Sequence, residues 1–227
     1  MPVIAFLLVL TAAGPTFEVV SIKRAAPQPG EFVRSGATID DNMLVYTSFN
    51  LKSIIRNAYE VTELQIAGPD WINDESFDVQ AKLPAGAKKS DIPAMLRNML
   101  ADRFKLAVRR DLKAMPVYAL EVAKSGPRMQ AIAEGESTYG FYPRKIEGSA
   151  LTMEGLAKLL SRVANRPVVD TTGLTGKFTI VLEWAPEPDG PSIYTAVQER
   201  LGLRLQPRRM PAETITVTHI ERLPTEN

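Results

Sequence analysis

The stretch Asp170-Thr171-Thr172-Gly173-Leu174-Thr175-Gly176-Lys177-Phe178 places two glycines and a lysine close together. That is the composition of a loop that could wrap a phosphate. The Walker pattern, GxxxxGK followed by Ser or Thr, feeds a helix whose N-terminal amides bind the anion. Here two residues separate Gly173 from Gly176, and Phe178 follows Lys177. The alternating run Phe178 to Trp184 reads as a strand, not a helix. The expectation is a hairpin turn with no nucleotide.

Other chemistry is sparse. His219 is the single histidine and there is no cysteine, so thiol catalysis, disulfides and thiolate metal sites are excluded. No HExxH helix is present, and no metal or cofactor is expected. No serine has Lys three residues later. Gly135-Glu136-Ser137-Thr138-Tyr139 starts like a nucleophile elbow but lacks the closing glycine. The carboxylate pairs are Asp40-Asp41, Asp74-Glu75 and Glu183 with Glu187. A glycosidase needs two such groups facing a sugar across a cleft. Their positions at turns and strand ends favour solvated roles, and no catalytic residue is assigned.

The aromatic residues are the better candidates. Trp71 and Trp184 each stand two residues from a proline, and Tyr139, Phe141 and Tyr142 cluster in a polar stretch. Aromatics anchor partners or stack on sugars, and equally plug cores. These five residues form the expected binding set.

What must position them is a duplicated unit. Leu51, Ile54, Ile55, Ala58 and Tyr59 have helical spacing, and so do Met153, Leu156, Leu159, Leu160 and Val163. A strand precedes each helix: Met43 to Ser48, then Arg144 to Ser149. An alternating strand follows each: Phe77 to Leu83, then Phe178 to Trp184. Second helices open behind Ser90 and Ser192, read as N-caps. Each is followed by two short strands, Phe104–Val108 and Val117–Val122, then Leu203–Leu205 and Thr214–Ile220. The expected class is α+β: two tandem similar small units, each with two short helices on a mainly antiparallel sheet. Residues 17–123 form the first unit, 124–142 the linker and 143–223 the second.

The chain starts with Val3 to Ala13, apolar except for Thr11. That run is shorter than the roughly 20 residues a bilayer requires. It fits the apolar core of an export signal ending at Thr11-Ala12-Ala13, although the start carries no Lys or Arg. Residues 1–13 are therefore expected to be a signal peptide. The mature chain would be periplasmic or secreted, with no membrane anchor. The net charge of +1 argues against nonspecific nucleic-acid binding.

The blocks "FEVVSIKRA", "AGPDWINDESFDVQAKLP", "MLRNMLADRFKLAVRRDLKAMPVYALEVAKSGP" and "RPVVDTTGLTGKFTIVLEW" resemble a soil-associated bacterial protein family expanded in acidobacterial genomes. So does the final block "LGLRLQPRRMPAETITVTHIERLPTEN". The resemblance covers nearly the whole mature chain. The family is a domain of unknown function; the resemblance implies export and, in some members, fusion to membrane-bound metallopeptidase sensor domains. The second half also resembles the short N-terminal domain of secretins and TonB-dependent receptors, through its helix-strand-strand-helix-strand order and Leu201-Gly202-Leu203. Such domains bind protein partners.

The resulting expectation is a noncatalytic extracytoplasmic binding module for an unidentified protein or peptide partner. The alternatives are a polymer hydrolase built on a carboxylate pair and a stand-alone sensor domain.

Overall fold

The computed structural model describes residues 14–26, 35–40, 42–185 and 188–225. The expected signal peptide lies outside these residues. Strand β1 (Val19–Arg24) comes first, then the antiparallel pair β2 (Gly36–Ile39) and β3 (Met43–Asn50). Helix α1 (Leu51–Tyr59) follows β3 directly. Strands β4 (Ile66–Ala67) and β5 (Ser76–Lys82) and helix α2 (Ile92–Arg103) lead to the long strand β6 (Ala107–Val122). Strands β7 (Gln130–Ile132), β8 (Thr138–Tyr142) and β9 (Lys145–Leu151) precede helix α3 (Met153–Ala164). Strands β10 (Val168–Asp170) and β11 (Lys177–Glu183), helix α4 (Ile193–Leu201) and the long strand β12 (Leu203–His219) complete the order. The class is α+β, with three four-stranded, mostly antiparallel sheets among the described residues.

The chain divides into two compact units. The first holds the described residues up to Tyr59, Asp70–Ala107 and those from His219 onward; the second holds Glu60–Pro69 and Val108–Thr218.

In the first unit the sheet order is β1-β5-β3-β2, every pair antiparallel. The alternation in β5 buries Phe77, Val79 and Ala81 and leaves Gln80 and Lys82 exposed, as a half-buried strand requires. Helix α1 buries Leu51, Ile54, Ile55 and Ala58, the stripe set by its spacing. Helix α2 buries Ile92, Met95, Leu96, Met99 and Leu100. Phe77 meets Phe104 edge to face, with ring centroids 5.1 Å apart. The C-terminal segment is tied to this core: Glu221 N–H donates to the Phe104 carbonyl and Thr225 N–H to the Arg103 carbonyl.

The second unit has two sheets. One has the order β7-β11-β9-β8, antiparallel throughout. Its Ile146, Phe178, Ile180 and Leu182 share a core with Leu156 and Leu160 of α3 and Ala196 and Val197 of α4. Thr152 caps α3 and Ser192 caps α4, each accepting a first-turn amide. The other sheet has the order β10-β6-β12-β4, in which β10 runs parallel to β6 and β4 parallel to β12. Gln65 helps fix the short β4, donating from Nε2 to the Glu213 carbonyl while its Oε1 accepts Thr62 N–H.

Several expectations need correction. The two short strands expected after each second helix are one long strand, β6 in one case and β12 in the other. Pro116 lies within β6, and Pro207 and Pro211 lie within β12. They are tolerated because β10 covers β6 only over Tyr118–Leu120, and β4 covers β12 only over Ile215–Thr216. Elsewhere each strand has an open side, where a proline forfeits no ladder bond. The stretch 124–142, expected as a linker, supplies β7 and β8. Ser90 does not cap α2. It lies in a 3₁₀ turn, Lys89–Asp91, in which the Asp91 carboxylate accepts Lys88 N–H at 2.9 Å.

Candidate functional site

The Gly173–Lys177 segment is a turn, but not a hairpin. It carries the chain from β10 in one sheet to β11 in another. Asp170 Oδ1 accepts from both Thr172 N and Thr172 Oγ1, at 2.9 and 2.8 Å. The glycines take φ of +68° and +100°, values that side chains disfavour. Lys177 Nζ donates to the Gly135 carbonyl at 2.7 Å. The lysine is thus a tether, and the turn feeds a strand, so no helix N-terminus faces a ligand.

The carboxylates are likewise occupied. Glu75 is buried, and its oxygens meet Arg24 Nη2 and Arg222 Nη2, each at 2.6 Å. Burial would raise its pKa, but hydrogen bonds and charge from Arg222 and Arg24 outweigh that and hold it below the ordinary value. It is therefore not poised as a general acid. Asp74 is exposed in the adjoining turn. Asp40 Oδ1 caps its own turn, accepting Asn42 N and Met43 N. Asp41 and Glu187 lie outside the described residues. His219 is exposed at the end of β12 and Ser137 in the loop before β8.

Of the five expected binding residues, the fold brings three together. Tyr139, Phe141 and Tyr142 all lie on β8, an edge strand, and are 45%, 37% and 49% exposed. Side chains alternate along a strand, so Tyr139 and Phe141 share one face and Tyr142 takes the other. On the first face, Phe141 stands opposite the buried Ile146, and the Arg162 guanidinium from α3 lies 4.7 Å from its ring centroid. On the second face, the Tyr142 ring covers Gly140: a Cβ there would stand 2.6 Å from Tyr142 Cε2. Glu147, opposite Gly140, lies on this same face. Lys145 Nζ bridges Glu147 and Glu183 at 2.6 and 3.6 Å. Its hydrogen bond outweighs desolvation, so the Glu147 pKa is lowered.

The tryptophans sit elsewhere. Trp184 is half-buried against the core of the second unit. Trp71 belongs to the first unit, in a 3₁₀ turn, with the Arg222 guanidinium 5.8 Å from its ring centroid. Sequence reading missed Arg162, Gly140 and Glu147 as supports for the aromatic edge. The signal for β8 was present: Thr138-Tyr139-Gly140-Phe141-Tyr142 is uncharged and aromatic-rich, a strand composition. It also missed the pair Tyr118 and Tyr194, whose hydroxyls meet at 3.1 Å beside Arg166.

Comparison with curated proteins and with solved structures gives no match. The model of the family described as "Protein of unknown function (DUF3738)" matches residues 52–220, and the chain belongs to that family.

Proposed function

We propose that this protein is a noncatalytic, extracytoplasmic binding module for a protein or peptide partner. The observation that carries the reading is β8: a sheet edge, open among the described residues, lined with exposed, held aromatics. An open edge offers unpaired N–H and C=O groups to an added strand, and alternate pockets give selectivity. Aromatic side chains contribute large contact area at low entropic cost. The hydrolase alternative is weakened by the ionised state of Glu75 between two arginines. A sensor role would use the same binding physics.

The extracytoplasmic assignment rests on the apolar run Val3 to Ala13. Among the described residues no helix is long and apolar enough to cross a membrane. N-terminal sequencing of protein recovered outside the cytoplasm should begin near Gly14 to Thr16; intact Met1 on soluble cytosolic protein would overturn export.

The module is also proposed to be a duplication. The sheet orders β1-β5-β3-β2 and β7-β11-β9-β8 correspond strand for strand. Left-handed residues recur at matching points: Ser48 and Ala150 three residues before a helix, Glu60 and Asn165 just after one, and Lys105 and Gly202 at the next helix end. Such conformations cost energy, so their recurrence favours common ancestry over coincidence.

The test of function is a pull-down with the mature protein from its native compartment, read by mass spectrometry. Hydrogen exchange at Tyr139–Tyr142 should slow when the captured partner is added. Unchanged exchange there would move the site away from β8.

A further inference from the structure

Among the described residues, strand β8 lacks the usual defences of an edge. Natural edges are guarded by lysine, proline, bulges or covering loops. The β1 edge of the first unit carries Lys23 and Arg24. Residues 138–142 carry no charge and no proline, and four of the five are exposed.

The hairpin fixes which backbone groups face outward. Pro143-Arg144 joins β8 to β9, with Tyr142 opposite Lys145. In a two-residue hairpin the closing pair is hydrogen-bonded, and bonding alternates along the strand. Thr138, Gly140 and Tyr142 therefore bond toward β9. Tyr139 and Phe141 turn their N–H and C=O groups to the open side.

We infer that the occupant of this edge is a second copy of the chain, pairing antiparallel with β8 about a twofold axis at Gly140. The inference rests on the reading of β8 as the docking edge and commits to what docks there. The sequence is self-complementary about that axis. Tyr139 falls opposite Phe141 of the second copy on both sides, and each such pair exchanges both of its outward hydrogen bonds. Aromatic pairs directly across a ladder are among the favourable ones.

Gly140 falls opposite itself, in a non-bonded pair where Cα atoms approach to about 4.5 Å. A residue without Cβ suits that centre, and the Tyr142 ring already covers it from one face. Shifting the register by two residues leaves one aromatic pair in place of two: Tyr139 faces its own copy and Phe141 faces Ser137, or Phe141 faces its own copy and Tyr139 faces Pro143. An isologous contact of this kind closes at two copies and does not propagate. It joins the two four-stranded sheets edge to edge.

The absence of cysteine from the chain makes a direct test possible. Gly140→Cys, made together with Tyr142→Ala to clear the ring from above residue 140, should form an intermolecular disulfide under mild oxidation, because the centre of the ladder lies within disulfide reach. The purified unaltered protein should sediment at twice the 25.0 kDa chain mass. Phe141→Lys should be a folded monomer, its melting temperature lower by the few degrees that loss of the Arg162 contact accounts for.

A monomer at the highest soluble concentration overturns the inference. So does a dimer that survives Phe141→Lys, or one in which Gly140→Cys with Tyr142→Ala does not cross-link. If the protein is monomeric yet an extended peptide protects the Tyr139 and Phe141 amides, self-pairing fails and the docking edge stands. If neither occurs, both fail.

Discussion

The Arg162 guanidinium of α3 lies 4.7 Å from the centroid of the Phe141 ring on β8. This contact adds to the cross-strand neighbour Ile146 in holding a partly exposed aromatic on an edge strand. A partly exposed cation–π pair is worth about 0.5–1 kcal/mol. Arg162→Ala should therefore lower the melting temperature by only about 2–4 °C, the scale for a chain of this size. Arg162→Lys should recover less than half of that, because it lacks the planar stacking surface. Differential scanning calorimetry of the two variants checks this; equal melting points for all three proteins would show that Arg162 does not hold the ring.

Glu75 carries a pH prediction. Burial acts to raise its pKa, but the hydrogen bonds from Arg222 and Arg24 prevail and leave it below the ordinary 4.5. A carboxyl whose folded-state pKa is depressed adds stability that is present above the unfolded value. That stability is lost as pH falls through the folded value. The expected window thus lies below about pH 4.5. Glu75→Gln should be less stable than the unaltered protein at pH 7, and the difference should shrink as pH drops toward 3. Urea midpoints at several pH values test this; a gap independent of pH would assign the loss to packing alone.

Gly202 and Gly173 separate two causes of glycine dependence. Both have left-handed φ, +64° and +68°. A Cβ at Gly202 would overlap the Gly126 carbonyl oxygen, whereas one at Gly173 meets nothing within 4 Å. Gly173→Ala should cost about 1 kcal/mol for conformation. Gly202→Ala should cost about 2–4 kcal/mol, because backbone must shift as well. Equal urea midpoints for the two variants would contradict the close approach of Gly126 to Gly202.

Much of this fold is legible in the sequence, for definite reasons. The stripes Leu51-Ile54-Ile55-Ala58 and Leu156-Leu160 bury as their spacing demands, and Ser192 caps α4. What failed is non-local. That β6 and β12 each run unbroken depends on which of their sides β10 and β4 cover, which the sequence around them does not state. Nothing local marks the partner of Ile66-Ala67, since its pairing with Ile215-Thr216 joins residues far apart in the chain. The aromatics of β8 were visible as residues. Their support by Arg162 and Glu147 depends on β8, β9 and α3 coming together, which periodicity does not encode.

That long-range pairing limits what a half-chain can do. Strand β4 pairs with β12, and β10 with β6, so each sequence half contributes a strand to the other's long strand. The C-terminal Arg222 is needed to pair Glu75, and Glu221 N–H to satisfy the Phe104 carbonyl. Residues 14–123 alone should therefore lack a cooperative thermal transition. Mixing them with residues 124–227 should restore one, seen by circular dichroism. A half that melts cooperatively by itself would show that the shared sheet is dispensable.

The last prediction divides the aromatic candidates. Trp184 contacts the core built on Ile180, Leu182 and Ala196, so truncation removes packing. Full burial would put Trp→Ala at about 3–5 kcal/mol, and partial burial brings the expected loss to about 2–3 kcal/mol. Tyr142 is 49% exposed and its ring lies over Gly140. Tyr142→Ala should cost less than about 1 kcal/mol. In a capture assay with the pulled-down partner, Tyr142→Ala and Phe141→Ala should bind more weakly at near-native stability. Trp184→Ala should bind normally at temperatures where it remains folded. If Trp184→Ala proves stable and loses binding while Tyr142→Ala does not, the binding surface lies at the end of β11 and not on the β8 edge.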